Sequence, residues 1–237
     1  MKPILPAGPV LALDSSTSVG SAAVGDASGV LAEVVRDVAA GHSSGLLPAA
    51  EQALAAAGLK PADLAAVVVA GGPGSFTGLR IAAATAKGIA QALHLPLFAY
   101  SGLMAVAVNG WAASVPVCAL FDARRRDVYA AEYSFAGASV EVLTAPQAVA
   151  IDQLIARFRG AETMPLFAGE GATLHREEIE RELGARVMPP HLSLPRASSL
   201  LWLAACAPEL GFVDDPTTWE PDYVRASGAE RMADTRP

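Results

Sequence analysis

The sequence is most informative at Gly71-Gly72-Pro73-Gly74-Ser75-Phe76-Thr77-Gly78-Leu79-Arg80. The apolar residues 65–70 before this glycine-rich turn predict a buried strand, and the alanine-rich residues 81–93 after it predict a helix. Such a turn places free backbone N–H groups at one end of a sheet, where they bind an anion or let two backbones approach closely. A Walker A loop needs a lysine before the helix, but here Gly78 is followed by Leu79 and Arg80. We therefore favour close packing over phosphate binding.

Composition and charge restrict the class of protein. The chain has 237 residues, of which 52% are hydrophobic and 17% are charged, as is typical of a folded globular protein. Its formal net charge is −7, so we do not expect it to bind nucleic acid tightly without a partner. Cys118 and Cys206 predict two buried thiols in a reducing compartment. The uncharged residues 95–121 are interrupted by prolines and glycines, so we expect no membrane span and a cytoplasmic protein.

The order of predicted elements indicates two related lobes around a cleft. In the first half, strands at 10–13, 19–24 and 29–38 precede a helix at 46–57 and then the strand, turn and helix described above. In the second half, the predicted elements are strands at 115–121, 128–135 and 140–143, a helix at 151–158, a strand at 165–168 and a helix at 177–183. This α/β order, with a mixed sheet and flanking helices in each lobe, is the layout of the actin, sugar-kinase and Hsp70 ATPase superfamily.

The same layout predicts the domain organisation. We expect an N-terminal lobe of residues 1–105, completed by a helix within 195–210, and a C-terminal lobe of residues 106–194. The polar residues 226–237 are predicted to be a disordered tail, as chain termini often are.

A carboxylate followed by small hydroxyl residues, Asp14-Ser15-Ser16-Thr17, lies between the first two predicted strands. In superfamily kinases and ATPases such a turn is the first phosphate loop, and its carboxylate positions a metal or a water. The same residues suit an ordinary turn, in which Asp and Ser bond to the backbone. The candidate for a second carboxylate, Asp122, is followed by three arginines. We therefore expect no intrinsic ATPase activity, and we keep residues 14–17 as a possible nucleotide or anion site.

Five segments spread over nearly the whole chain form a specific pattern. They are Leu11-Ala12-Leu13-Asp14-Ser15-Ser16-Thr17, His42-Ser43-Ser44-Gly45-Leu46-Leu47-Pro48, the glycine-rich turn, Asp122-Ala123-Arg124-Arg125-Arg126-Asp127-Val128-Tyr129 and Pro221-Asp222-Tyr223-Val224-Arg225. In order and separation they resemble the TsaB family, also called YeaZ, whose members take part in making threonylcarbamoyladenosine on tRNA.

The resemblance implies a partner protein without its own chemistry. In this family the reaction belongs to a sister protein of the same fold, a TsaD-like transferase, which holds a metal through two histidines. The comparable residues 99–105 of this chain contain no histidine and no carboxylate. The resemblance also implies a TsaE-like ATPase partner, a possible homodimer in isolation, tRNA binding only through the complex, and ATP, ADP and metal in the partner subunits. We expect no intrinsic cofactor or metal in this chain.

The resemblance further implies that two helices pair with the partner. The helix at 46–57 is apolar on more than one face, and Gly74, Gly78 and Ala82 recur every four residues, which lets helices approach closely. An alanine-rich composition is the competing explanation. The predicted interface residues are His42, Ser43, Leu46, Leu47, Ala50, Leu54, Gly74, Phe76, Thr77, Gly78, Arg80 and Ala82. We accordingly expect Gly78→Leu to leave the monomer folded but to block pairing.

Two further patterns bear on function. Arg124-Arg125-Arg126 is a basic run that could contact tRNA phosphates or an acidic partner, although such a run is also typical of a solvated turn. The four histidines have neither an HExxH nor a paired spacing, so we reject a metalloprotease. The remaining enzyme alternative is a small ATPase or kinase of the superfamily, whose activity would be lost on Asp14→Ala.

Overall fold

The computed structural model describes residues 4–37 and 45–224. A five-stranded sheet of the order β3-β2-β1-β4-β5 forms the first lobe, with an antiparallel meander of β1 to β3 and with β4 and β5 parallel to β1. Its strands are β1 (Val10–Asp14), β2 (Val19–Asp26), β3 (Gly29–Asp37), β4 (Ala66–Ala70) and β5 (Leu97–Tyr100). Its helices are α1 (Leu46–Ala56), α2 (Phe76–Leu93) and α3 (Gly102–Ala107).

The second lobe repeats this arrangement with a four-stranded sheet of the order β8-β7-β6-β9. Again a meander of three antiparallel strands precedes a helix and a strand that is parallel to the first. Its elements are β6 (Val117–Asp122), β7 (Asp127–Ala136), β8 (Ser139–Ala150), α4 (Ile151–Phe158), β9 (Leu166–Ala168), α5 (Glu170–Leu174) and α6 (Arg176–Leu183). Two further helices follow, α7 (Ala197–Cys206) and α8 (Pro208–Gly211).

Alternation along β1 divides the core into two layers. Leu11 and Leu13 pack with α1 and α2, whereas Val10 and Ala12 pack with α3, α7 and side chains of the second sheet. A third apolar cluster fills the space between the second sheet and the helices α4 and α6. The sheets are therefore covered by helices as in other α/β proteins. Because one core cluster joins both sheets, the division at residues 105 and 106 stays a prediction.

Helix α7 packs against β1, β2 and β4 of the first sheet. At its start, the Ala197 backbone N–H donates a hydrogen bond to the buried Ser21 Oγ at 2.9 Å. The Glu33 carboxylate on β3 accepts a hydrogen bond from the Ser198 N–H at 3.0 Å and pairs with the Arg196 guanidinium at 2.9 Å. These bonds satisfy backbone donors that every helix leaves free in its first turn, and they attach α7 to the first lobe.

Two elements differ from the sequence-based expectation. β8 extends over Ser139–Ala150 instead of residues 140–143, because it is an edge strand in which Pro146 is tolerated. The short helix α5 was not predicted, since five residues after Gly169 carry almost no periodicity. The repeated order of the other elements confirms the predicted fold class, that of the actin, sugar-kinase and Hsp70 ATPase superfamily. Within the described residues, the helices are too short or too polar to cross a bilayer. The predicted tail, 226–237, lies outside the described residues.

Candidate functional site

The loop from β1 to β2, Asp14 to Thr17, is buried, and each of its four residues is at most 3% exposed. Asp14 Oδ1 accepts a hydrogen bond from the Ser16 backbone N–H at 2.7 Å. Asp14 Oδ2 and Ser16 Oγ are buried and have no hydrogen-bond partner within the described part of the chain. Burial raises the pKa of Asp14 to about 6, although the hydrogen bond from the Ser16 N–H lowers it. The carboxylate therefore occupies a site that disfavours its charge.

The glycine-rich turn holds this loop from one side. The Ser75 N–H donates to the Ser16 carbonyl at 2.7 Å, and the Ser15 Oγ donates to the Gly78 carbonyl at 2.8 Å. A Cβ atom on Gly74 would collide with the Ser16 carbonyl oxygen, and one on Gly78 with the Ser15 carbonyl oxygen. These glycines allow two backbones to approach closely. The two backbones are the turn and the loop of the same lobe, and not two helices of different subunits.

This packing overturns one sequence-based expectation. Gly78 is buried, and its Cβ position overlaps the Ser15 carbonyl, so a leucine there cannot be accommodated without moving the backbone. The expectation that Gly78→Leu leaves the monomer folded is therefore wrong. Spacing in sequence identified a small-residue requirement but could not say which backbone comes close.

The C-terminal segment covers the other side of the turn. The Asp222 N–H donates to the Gly71 carbonyl at 2.7 Å, and a Cβ on Gly72, which has a φ of +112°, would collide with the Asp222 carbonyl. The Trp219 ring lies against Gly71, where a Cβ would sit 3.1 Å from Cζ2. Lys87 Nζ on α2 donates to the Trp219 carbonyl at 2.8 Å. Residues 219–222 thus contact both the glycine-rich turn and α2 and connect them.

Together these contacts decide whether a nucleotide fits the loop. In a working phosphate loop, backbone N–H groups and glycines leave space for phosphate oxygens. Here the glycines of the turn lie against the Ser15 and Ser16 carbonyls, and all four loop residues, Asp14 to Thr17, are buried. The loop as folded does not fit a bound nucleotide. Across residues 4–37 and 45–224, no cluster of three His, Cys, Asp or Glu side chains is placed to hold a metal ion.

The predicted interface residues divide into two groups. Five of them are buried in the core of the first lobe: Leu46, Ala50, Leu54, Gly78 and Ala82. Gly74 is half-buried, and Leu47, Phe76, Thr77 and Arg80 are exposed. His42 and Ser43 lie outside the described residues. Because α1 and α2 lie side by side on the sheet, each needs a wide apolar surface for the sheet and its neighbour. That requirement explains why α1 is apolar on more than one face. Of the predicted interface residues, only the exposed ones are accessible for direct contact with a partner.

The outer face of α2 carries two predicted interface residues, Phe76 and Arg80, and two residues that the sequence did not single out, Ala84 and Gly88. Phe76, Arg80, Ala84 and Gly88 recur every four residues and are all exposed, and a Cβ on Gly88 would meet open space. The Arg80 guanidinium lies 3.9 Å from the centroid of the Phe76 ring, and the centroids of the Phe76 and Tyr223 rings are 5.3 Å apart. We call the four α2 residues, together with Tyr223 from the C-terminal segment, the outer stripe of α2. The spacing of four from Phe76 and the motif at 221–225 were the signals that could have identified it.

The arginine run lies in the turn between β6 and β7. Arg124, Arg125 and Arg126 have φ angles of 68°, 56° and 65°, so three successive residues adopt the left-handed conformation. For a residue with a side chain this conformation costs about 1–2 kcal/mol. Asp122 Oδ1 accepts a hydrogen bond from the Arg124 N–H at 2.8 Å. The Asp122 carboxylate, considered above as a second catalytic carboxylate, thus shapes the turn.

The fold and this site first define a class of protein: an actin-like ATPase fold whose first phosphate loop is closed by its own chain. Comparisons with known proteins then identify the family. A family model described as "TsaD: tRNA N6-adenosine threonylcarbamoyltransferase" matches residues 26–231. The tRNA threonylcarbamoyladenosine biosynthesis protein TsaB of Bacillus subtilis is 32% identical over 226 residues, which cover 93% of this chain and 96% of that protein.

Two further relatives agree with these matches. TsaB of Escherichia coli is 30% identical over 176 residues, which cover 69% of this chain and 71% of that protein. The solved structure of YeaZ from Pseudomonas aeruginosa is 28% identical, has a TM-score of 0.75 and covers 91% of this chain and 99% of its own. The chain belongs to the TsaB (YeaZ) family, and the resemblance found in the sequence is confirmed.

Proposed function

We propose that this chain is a non-catalytic, activating subunit in the synthesis of threonylcarbamoyladenosine on tRNA. It pairs with a TsaD-like transferase, which transfers the threonylcarbamoyl group to the adenosine 3′ of the anticodon. Membership of the TsaB family supports the pathway. The observation that carries the non-catalytic role is the buried loop at Asp14, whose Ser15 and Ser16 carbonyls lie against the glycine-rich turn.

The chemistry of the superfamily explains why closure matters. Phosphoryl transfer depends on positioning the phosphates and the metal with side chains that reach them. Asp14 is fully buried, so in this fold its carboxylate is not exposed to phosphates or to a metal in solution. A small ATPase or kinase would have to open this loop against hydrogen bonds from Ser75 and Ser15. We therefore assign no catalytic residue to this chain.

The outer stripe of α2, together with Leu47 on α1, is the proposed pairing surface. Leu47 is 51% exposed and Phe76 is 37% exposed, so both leave apolar area open to solvent. Aromatic and arginine side chains, such as Phe76, Tyr223 and Arg80, are the types that contribute most binding energy at interfaces. Small residues at Ala84 and Gly88 leave room for a partner helix to approach closely. In isolation the same surface would support a symmetric homodimer.

The remaining partners follow from this role. A TsaE-like ATPase completes the proposed assembly, and ATP, ADP and metal belong to the partner subunits. The chain acts in the cytoplasm, where its tRNA substrate is made and modified, and it meets tRNA through the complex. Its net charge of −7 agrees with weak binding of tRNA by the isolated chain.

The pairing surface can be tested with one substitution and a matched control. Ala84→Leu adds bulk to the outer stripe at an exposed helical position, whereas Ala156→Leu makes the same change on an exposed face of α4 in the second lobe. We expect Ala84→Leu to weaken binding of the TsaD-like transferase at least tenfold in isothermal titration calorimetry, with unchanged circular dichroism. Ala156→Leu should bind like the wild type. Equal affinities for the two variants would remove the outer stripe from the interface.

A further inference from the structure

The arginine turn combines side chains and a backbone that do not suit each other. Three successive left-handed residues would be least strained as glycines, and the β7–β8 turn of the same sheet does use Gly137, with a φ of +61°. In the β6–β7 turn the chain instead presents Arg124, Arg125 and Arg126. Strained residues cluster at sites where the side chain is needed for binding or catalysis. The conformation therefore points to a role for the arginine side chains.

The three arginines are not equivalent. Arg126 Nη2 lies 2.9 Å from both Asp152 Oδ1 and Glu178 Oε1, and the Arg126 carbonyl accepts a hydrogen bond from the Ile151 N–H at 2.9 Å. Arg126 thus ties the turn to α4 and α6. Arg124 has an 88% exposed side chain that forms one ion pair, with Asp122 at 3.7 Å, and Arg125 is exposed and forms no ion pair with any described residue. Two guanidinium groups remain available for a ligand.

These guanidinium groups border an open hollow of about 860 Å³ between the turn and the helices α5 and α6. The lining side chains include five arginines and three carboxylates. Arg126, Arg176 and Arg181 form ion pairs with carboxylates of α4 and α6, so the exposed cations that remain at the hollow are Arg124 and Arg125. Among the described residues that line it there is no Phe, Tyr or Trp, and His175 supplies its single aromatic ring. A guanidinium presents planar, bidentate donors that match phosphate oxygens. The exposed guanidinium groups of the hollow are thus suited to an anionic backbone.

We propose that Arg124 and Arg125 bind phosphodiester groups of the tRNA while Arg126 holds the turn in place. This inference rests on the proposed function, in which tRNA is the substrate of the assembled complex. An RNA backbone is favoured over an acidic protein segment because its regular, dense charge can compete with the three carboxylates of the hollow. The arginine turn supplies part of the affinity of the complex for tRNA, and the partner subunits supply the rest.

The test compares tRNA binding by three variants of the chain in the presence of the TsaD-like transferase. Arg124→Gly/Arg125→Gly removes both charges and relieves the backbone, and Arg124→Lys/Arg125→Lys keeps the charges without the bidentate donors. The control, Lys60→Ser/Arg186→Ser, removes two exposed positive charges elsewhere and gives the same net charge. Unmodified tRNA is titrated by fluorescence anisotropy between 50 and 200 mM salt. Size-exclusion chromatography of the same samples reports pairing.

We expect the glycine variant to bind tRNA about tenfold more weakly, with a slope of log affinity against log salt reduced by about 1.5. The lysine variant should recover the slope but only part of the affinity, and the control should match the wild type. Equal slopes for the glycine variant and the wild type would overturn the proposal, as would loss of partner binding in place of tRNA binding. If the chain and transferase do not pair, the proposed function fails separately. In that case the same variants are titrated with tRNA in 20 mM salt without the transferase. The proposal is overturned if the wild-type chain does not bind tRNA or if the glycine variant binds it as well as the wild type.

Discussion

Replacing Asp14 by asparagine should stabilise the protein in a pH-dependent way. Asp14 is fully buried, and burial raises its pKa from 3.8 to about 6. A folded-state pKa above the unfolded value means that stability is lost as pH rises from about 4 to about 6 and stays low above that range. The shift of about 2 pH units corresponds to about 3 kcal/mol at neutral pH. Asparagine keeps the acceptor for the Ser16 N–H and carries no charge, so it removes this cost.

The measurement is the free energy of unfolding in urea for wild type and Asp14→Asn at pH 4, 5, 6 and 7. Comparing the two proteins at each pH removes the effect of other carboxylates, and the exposed Asp214→Asn serves as the control. We expect the difference in favour of Asp14→Asn to widen by about 2–3 kcal/mol between pH 4 and pH 7. The corresponding difference for Asp214→Asn should stay nearly constant.

A constant difference for Asp14→Asn across this pH range would refute the reasoning, because it would mean that Asp14 ionises as easily in the folded chain as in the unfolded one. The loop would then be open to water or to a counter-ion. A difference that widens in the opposite direction would mean that the charged carboxylate is stabilised. That result would restore Asp14 as a candidate ligand for a metal or a phosphate-bound cation.

Three further predictions concern the turns and the pairing surface. Gly78→Ala should cost about 3 kcal/mol or more of unfolding free energy, because its Cβ collides with the Ser15 carbonyl, whereas Gly88→Ala, which points into open space, should gain about 0.5–1 kcal/mol; similar effects in urea unfolding would contradict the packing of the turn. Arg125→Gly should raise the unfolding free energy by about 0.5–1 kcal/mol, since glycine accepts a φ of 56° without strain, and a loss would argue against the left-handed turn. Tyr223→Ala should weaken partner binding several-fold in calorimetry without unfolding the chain, and unchanged affinity would exclude the C-terminal segment from the interface.

Much of the fold could be predicted from local pattern. Continuous apolar runs marked β1, β4 and β6, and the repeated order of strands and helices identified the two lobes. Gly74 and Gly78 indicated a place where backbones come close. What local pattern did not contain was the identity of the approaching backbone, which is the loop at Ser15 and Ser16, more than 50 residues earlier in the chain.

The division between core and surface was harder to predict. Ala82 and Ala84 are both small and apolar, yet one is buried on the sheet and the other is exposed. Composition cannot distinguish them when a helix such as α1 or α2 is covered by a sheet on one side and by its neighbour on another. The left-handed conformation of the arginines and the contact of Tyr223 with Phe76 depend on tertiary structure, so the sequence could not predict them either.

The most direct test is the yield of threonylcarbamoyladenosine in a purified reaction of tRNA, the activated threonylcarbamoyl donor, the TsaD-like transferase and the TsaE-like ATPase. The reaction is run without this chain, with the wild-type chain and with Asp14→Asn. We predict that product requires the chain and forms equally well with Asp14→Asn, because the buried carboxylate does no chemistry. Product that forms without the chain, or that is lost with a folded Asp14→Asn variant, would contradict a non-catalytic activating subunit.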